Sequence, residues 1–292
     1  MSGHPHTSEE ALRADIVEVG RRLHDRGYVA SNDGNISVRL PGDLLLTTPK
    51  SVSKGFMTPD MMVVTDMSGR KVKGDRDPST ELLMHLAVYR RRPDLQAVVH
   101  AHPPVATGFA VAGIPLDRAV LAEVVTTLGC IPIAEYGTPS TSELAEAVER
   151  YIGAHDGLLL ANHGALTACR TLFSAYYKME TVEHFARISL VARLLGREHL
   201  LSREEVDRLQ GLRGMYGIAS PAPICADGTD AVDPTCQVVQ APSAPGGERL
   251  VPDDRLTRGR ERAAGSLGSG EEIRLTYREL TTLIEDAIKN LR

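Results

Sequence analysis

Apolar residues recur at three- and four-residue steps early in the chain, at Leu12, Ile16, Val19 and Leu23, and predict a helix over residues 8–26 closed by Gly27. The period then drops to two. Ile36, Val38 and Leu40 alternate after the turn Ser31-Asn32-Asp33-Gly34-Asn35 and predict a strand, and residues 43–48 read as a second. A short strand over 62–66, the turn Met67-Ser68-Gly69-Arg70 and a partner strand ending near Gly74 follow. Helical spacing returns over 79–91, with Leu82, Leu83, Leu86 and Tyr89 inward. An apolar, β-branched run then enters Val98-Val99-His100-Ala101-His102-Pro103-Pro104 as a buried strand. Beyond it the pattern predicts helices over 104–112, 142–152 and 171–195 and a strand over 131–136. The stripe Tyr176, Tyr177, Met179, Val182, Phe185, Leu190 and Leu194 on the last helix reads as core or subunit interface.

From residue 220 the texture changes. Pro221, Pro223, Pro234, Pro242, Pro245 and Pro252 alternate with Gly, Ser, Asp and Arg, so residues 220–270 read as a disordered linker with a reach of roughly 40 Å. Periodicity resumes over 271–292. Thr276 and Glu279 fit a capping box, and Tyr277, Leu280, Leu283, Ile284, Ala287, Ile288 and Leu291 form one apolar stripe with no sequence neighbour to cover it. The organisation is a flexible N-terminus over 1–7, a catalytic domain over 8–219, the linker, and an isolated amphipathic helix.

A hydrophobic share of 42% in 292 residues supports one substantial core. A net charge of −5 supplies no basic field, so a nucleic acid is not an expected partner. No apolar run has the length of a membrane span, and Met1-Ser2-Gly3-His4-Pro5-His6 lacks the blocks of a signal peptide, so no membrane is expected as a partner and the location expected is cytoplasmic. Cys130, Cys169, Cys225 and Cys236 show no framework spacing and read as ordinary buried or linker thiols. Strands mixed with helices, without a glycine-rich nucleotide fingerprint, indicate an α/β class.

Three segments carry candidate chemistry. His100 and His102 share one face of a strand end and can converge on a divalent ion, although the same spacing suits two unconnected surface histidines. His163 ends a second apolar run and offers a third imidazole, while Glu81 follows Asp77-Pro78-Ser79-Thr80 and is placed by the pattern in the first turn of a helix. Three histidines and a carboxylate describe an open catalytic zinc site better than a closed structural one. The turns around Gly34-Asn35 and Pro49-Lys50-Ser51 expose backbone N–H groups. The second adds Lys50 and Lys54, which suit a phosphate dianion or are simply solvated. His85, one turn after Glu81, reads as a packed residue.

Gly34-Asn35-Ile36-Ser37, Thr48-Pro49-Lys50-Ser51, Ser79-Thr80-Glu81, His100-Ala101-His102 and Asn162-His163-Gly164 resemble, in that order, the motifs of the class II aldolase/adducin family, most closely its L-fuculose-phosphate aldolase branch. The resemblance spans residues 8–218. It implies a three-layer α/β/α fold with a mostly antiparallel central sheet, and a homotetramer with active sites between subunits. It implies Zn²⁺ on His100, His102 and His163, with Glu81 at the metal moving protons. Gly34, Asn35, Lys50, Ser51, Ser79 and Thr80 match the residues that hold a substrate phosphate. Where the fuculose-phosphate enzymes carry Thr-Gly, this chain has Lys50-Ser51. The tyrosine that a neighbouring subunit supplies as proton donor aligns with Glu123, and a second family tyrosine with Tyr216. The activity implied is cleavage of a ketose 1-phosphate, of L-fuculose or L-rhamnulose type, to dihydroxyacetone phosphate and an aldehyde such as lactaldehyde. The alternatives are a pentulose-phosphate 4-epimerase and a metal-free adducin-like interaction protein. Residues 271–292 resemble the encapsulation peptides that bind shell proteins of bacterial microcompartments, which would put the enzyme in their lumen.

Overall fold

The computed structural model describes residues 8–219, 221–225 and 236–239. The expected flexible N-terminus, most of the expected linker and the amphipathic helix over 271–292 lie outside them. The first helix, α1 (Glu9–Asp25), starts at Ser8, whose hydroxyl accepts from the Ala11 N–H at 3.2 Å, and buries Ile16, Val19 and Leu23. Eight strands make one sheet: β1 (Asn35–Leu40), β2 (Leu44–Thr47), β3 (Val63–Asp66), β4 (Lys71–Lys73), β5 (Ala97–Ala101), β6 (Ile133–Ala134), β7 (Gly157–Leu160) and β8 (Gly164–Cys169). Their order is β4-β3-β2-β1-β5-β8-β7-β6, antiparallel throughout except for the parallel pair β6 and β7.

Alternation along the strands divides the core into two layers. Ile36, Val38, Ala97, Val99, Leu159 and Ala165 pack with α1, α3 (Pro104–Ala112) and α6 (Leu172–Leu194). Leu45, Val98, Leu158, Leu160, Leu166 and Ala168 pack on the other face with α2 (Leu82–Arg91) and α5 (Ser142–Ile152). This is the three-layer α/β/α arrangement that the resemblance implies. The register sets Asn35 opposite His100 and His100 opposite Leu166, so the ends of the three central strands β1, β5 and β8 meet.

Several elements depart from the sequence pattern. The helix expected from residue 79 begins at Leu82, and Glu81 takes the N-cap position without capping it, because its carboxylate is engaged elsewhere. The strand expected over 131–136 shrinks to Ile133–Ala134 at the sheet edge, beside Pro132, which has no N–H to give a ladder. Two helices appear that the pattern did not indicate, α4 (Ala122–Thr127) and α7 (Arg203–Leu212), the latter closed by a Ser202–Glu205 capping box.

The reading of all four cysteines as thiols is corrected. Cys225 and Cys236 form a disulfide, while Cys130 and Cys169 are free. The described parts of the expected linker also pack on the domain. The Val238 N–H donates to the Asp117 carbonyl at 2.8 Å and the Ala119 N–H to the Val238 carbonyl at 2.9 Å. Ile224 and Val239 join a small apolar cluster with Ala119, Val125 and Val206, so apolar residues set among the prolines find a surface to cover.

Candidate metal centre and anion pocket

His100 is the fourth residue of β5 and is fully buried, 0% exposed. His102 follows the strand, its N–H held by the Tyr28 carbonyl at 2.8 Å, and Pro103-Pro104 then turns the chain into α3. His163 stands in the tight turn between β7 and β8, next to Asn162 in the left-handed region at φ 54°. The three ring centroids lie 4.8, 4.9 and 5.0 Å apart, and one ligand nitrogen from each lies within 4.8 Å of the others. Gly164 permits this closeness. A Cβ there would sit 2.5 Å from His102 Cδ2 and 2.6 Å from the Ala101 carbonyl oxygen.

The hydrogen bonds fix the tautomers. His100 Nδ1 lies 2.8 Å from the Ala165 carbonyl oxygen, which can only accept, so Nδ1 carries the proton and Nε2 turns a lone pair to the centre. His102 Nδ1 faces Asp33 Oδ2 at 3.3 Å, with the same consequence. The two Nε2 atoms are 3.1 Å apart. Two nitrogens bound tetrahedrally at 2.0–2.1 Å from one zinc stand about 3.3–3.4 Å apart, so this donor set fits a divalent ion. Burial first, then the neighbouring imidazoles, hold His100 far below its ordinary pKa against the opposing field of Glu81. Burial and His163 likewise lower His102. Both rings are therefore neutral at pH 7, the form that ligates.

Glu81 faces the imidazoles. Its Oε1 is 3.1 Å from His163 Nε2, its Oε2 is 3.6 Å from His100 Nε2, and Oε2 accepts from Asn35 Nδ2 at 2.7 Å. Burial opposes its charge, but the His163 contact, the fields of His100 and His163 and the Asn35 bond outweigh that and hold the carboxyl well below the usual carboxylate range. On the same helix, His85 bonds Ser37 Oγ at 2.6 Å and is a packed core residue.

A cavity of about 350 Å³ opens on this centre. His102, His163 and Glu81 line it together with all six residues matched to phosphate binding, Gly34, Asn35, Lys50, Ser51, Ser79 and Thr80. The loops that carry them are tied to one another. Lys50 N–H donates to the Asp77 carbonyl at 2.9 Å, and Ser79 N–H to the Thr48 carbonyl at 3.2 Å. Asn32, Asp33, Pro49, Lys54 and Ser140 complete the lining. Asp33 lies within a motif visible in the sequence. Ser140 had no signal, since a serine at φ 67° is indistinguishable in sequence from any turn serine. Glu123, exposed in the first turn of α4, and Tyr216, 66% exposed beyond α7, are not brought to the cavity within this chain.

Residues 14–190 match the family described as Class II Aldolase and Adducin N-terminal domain. The chain is 33% identical over 177 residues to an L-fuculose phosphate aldolase of Methanococcus maripaludis, covering 61% of this chain and 95% of that protein. It is 30% identical over 189 residues to a 3-oxo-tetronate 4-phosphate decarboxylase of Pectobacterium atrosepticum, covering 63% and 86%. A solved L-fuculose 1-phosphate aldolase superposes with a TM-score of 0.66 at 30% identity, covering 71% of this chain and 98% of that one.

Proposed function

The chain belongs to the class II aldolase and adducin family, and on that premise we propose that it cleaves a ketose 1-phosphate by a zinc-dependent retro-aldol reaction, giving dihydroxyacetone phosphate and a short aldehyde. The observation that carries the proposal is one cavity lined both by imidazoles converging on Glu81 and by Lys50, Ser51, Ser79 and Thr80. That pairs a metal site with an anion site at the scale of one small substrate.

His100, His102 and His163 would hold the ion. Bound Zn²⁺ supplies Lewis acidity toward the carbonyl and neighbouring hydroxyl of the ketose, where negative charge develops as the C–C bond breaks. The protein residues do the rest. Gly34, Asn35, Lys50, Ser51, Ser79 and Thr80 anchor the phosphate and so fix which bond lies beside Glu81. Glu81, ionised at neutral pH and oriented by Asn35, takes up and returns the proton of the carbon left carrying the charge. Glu123, at the surface, would serve as the proton donor to a neighbouring subunit of a homotetramer, with Tyr216 completing that site. No lysine is required for a Schiff base.

A second reading is favoured by the identity to the oxo-tetronate phosphate decarboxylase. Loss of CO₂ from a β-keto acid leaves a similar anion beside the carbonyl, and the same constellation would serve it. The deciding assay offers L-fuculose and L-rhamnulose 1-phosphates, ribulose 5-phosphate and 3-oxo-tetronate 4-phosphate to the zinc-loaded protein. Release of dihydroxyacetone phosphate together with lactaldehyde from a ketose 1-phosphate supports the aldolase; CO₂ release from 3-oxo-tetronate 4-phosphate, which also leaves dihydroxyacetone phosphate, would replace it with the decarboxylase, and xylulose 5-phosphate formation with the epimerase. No turnover of any of the four would return the adducin-like reading.

The encapsulation-peptide reading of residues 271–292 rests on the sequence, since those residues lie outside the described ones. A fluorescent protein fused to 271–292 should concentrate in microcompartments of cells that make the shell. Diffuse fluorescence unchanged by Leu283→Glu and Ile284→Glu would remove both the shell partner and the lumenal location.

A further inference from the structure

Lys54 is one of the largest fully buried side chains of the protein, only 2% exposed, yet it carries an ammonium group. It follows the Pro49-Lys50-Ser51 loop, in a one-turn 3₁₀ segment (Lys54–Phe56) packed on α1, where its carbonyl oxygen and Cβ lie against Gly20. Nζ donates to the Asn32 carbonyl at 2.9 Å and to the Val52 carbonyl at 2.7 Å. One N–H thus ties down the loop before β1 and another the loop after β2. An ammonium has three N–H groups, and among the described residues no further acceptor and no carboxylate within 4.0 Å takes the third. The residue lines the cavity. A buried charge held only by neutral carbonyls is costly to keep, and an anion in the cavity is what would offset that cost.

Lys50 differs in each respect. It is exposed, and it reaches the loop network through its backbone N–H. A solvated lysine contributes little fixed field and is screened by salt.

We propose that Lys54, beside the solvated contact of Lys50, supplies the fixed charge that recognises the doubly charged phosphate of the substrate: two loop carbonyls clamp its ammonium so that the remaining N–H meets the phosphate oxygens. The inference rests on the sugar-phosphate reading given above and assigns its charge selectivity to one residue. Burial brings Lys54 down to about 8, against the opposing fields of Asp33 and Glu81. Asp33, Glu81, Lys50, His102 and His163 are the other titratable groups on the cavity, and His24 of α1 stands against the adjoining Gly55. Below about pH 8 the ammonium is present in the free protein and the phosphate site is armed. Above it the group loses its proton and the site weakens.

The experiment is calorimetric titration of the zinc-loaded, full-length protein with glycerol phosphate, a monoester whose second ionisation near pH 6 leaves it dianionic throughout pH 7 to 9. Wild-type affinity should fall about tenfold between pH 7 and 9, the loss of protonated Lys54 expected for a pKa near 8. Lys54→Arg keeps its charge and should flatten the profile, Lys54→Met should bind at least tenfold more weakly at pH 7 and also be flat, and Lys50→Met should keep the wild-type slope. Circular dichroism spectra matching the wild type show that each variant is folded. If Lys54→Met unfolds, the Lys54→Arg profile alone decides. A wild-type slope in Lys54→Arg, or wild-type affinity in Lys54→Met, overturns the proposal. A Lys54-dependent profile in a protein that turns over no sugar phosphate would instead keep the phosphate site and refute the sugar-phosphate reading.

Discussion

Gly164→Ala puts the geometry of the histidine centre under direct stress. The added methyl would meet His102 Cδ2 at 2.5 Å, the Ala101 carbonyl oxygen at 2.6 Å and His100 Cε1 at 3.3 Å. The carbonyl belongs to β5 and sits in the ladder opposite Ala165, so it cannot retreat without opening the β5–β8 pair. The cheaper response is for the His102 ring to swing away. Overpacking of this kind costs about 1–3 kcal/mol, which for a domain of this size lowers the thermal midpoint by about 3–10 °C. Moving one imidazole should weaken zinc about 10–100-fold, the scale seen when supporting residues of metal sites are changed. Gly108→Ala is the control. Gly108 lies inside α3 with nothing within 4 Å of a new Cβ, so that change should stabilise by about 0.5–1 kcal/mol and leave zinc binding alone. Calorimetry of the metal-stripped proteins and competition with a chelator measure both quantities. A Gly164→Ala protein with the wild-type midpoint and zinc affinity would refute the argument that glycine is needed for the rings to meet.

Glu81→Gln should fold and keep its zinc but lose at least about a hundredfold in turnover, since an amide cannot carry the proton; activity within a few-fold of wild type would move that role elsewhere. His85 is held neutral by burial, its pKa down at about 4, so as pH falls below its ordinary 6.5 the unfolded chain gains a proton the folded one refuses, and stability drops by about 3 kcal/mol by pH 4. Denaturant titrations should show His85→Gln losing less stability than wild type over that range, and identical slopes would contradict the assignment. The buried Glu183 carboxylate accepts from the Val105 and Ala106 N–H groups at the start of α3, so Glu183→Ala should cost about 2–3 kcal/mol and Glu183→Gln less, read by the same titrations.

The periodic elements were legible. The helices expected over 104–112 and 142–152 have those bounds, and those expected over 8–26 and 171–195 differ by a residue at each end. The histidines were legible for a different reason, since alternate residues at a strand end must share a face and a turn histidine after an apolar run must lie at a neighbouring strand's tip. What failed depends on contacts far along the chain. The placement of Glu81 in the first helical turn failed, though not its choice as the site carboxylate, because Asn35 and His163 hold it just outside the helix. The pattern leaves Lys54 between a phosphate contact and a solvated lysine, and its burial follows only once the loops before β1 and after β2 close over it. The pairing of Cys225 with Cys236 had no spacing signal, and α4 is too short at six residues to display a period. For α7 a signal did exist in Ser202 and Glu205, but a helix with one buried residue, Val206, shows no apolar stripe.

The central claim is that one divalent ion on His100, His102 and His163 is required for cleavage of a phosphorylated ketose. It is tested most directly by stripping the protein with a chelator, adding zinc in steps and following release of dihydroxyacetone phosphate from L-fuculose 1-phosphate in a coupled assay. The account predicts no activity at zero zinc, a linear rise and a break at one equivalent per chain, with His163→Ala failing to reach that break. Full activity in the stripped protein, or an unchanged titration of His163→Ala, would contradict it.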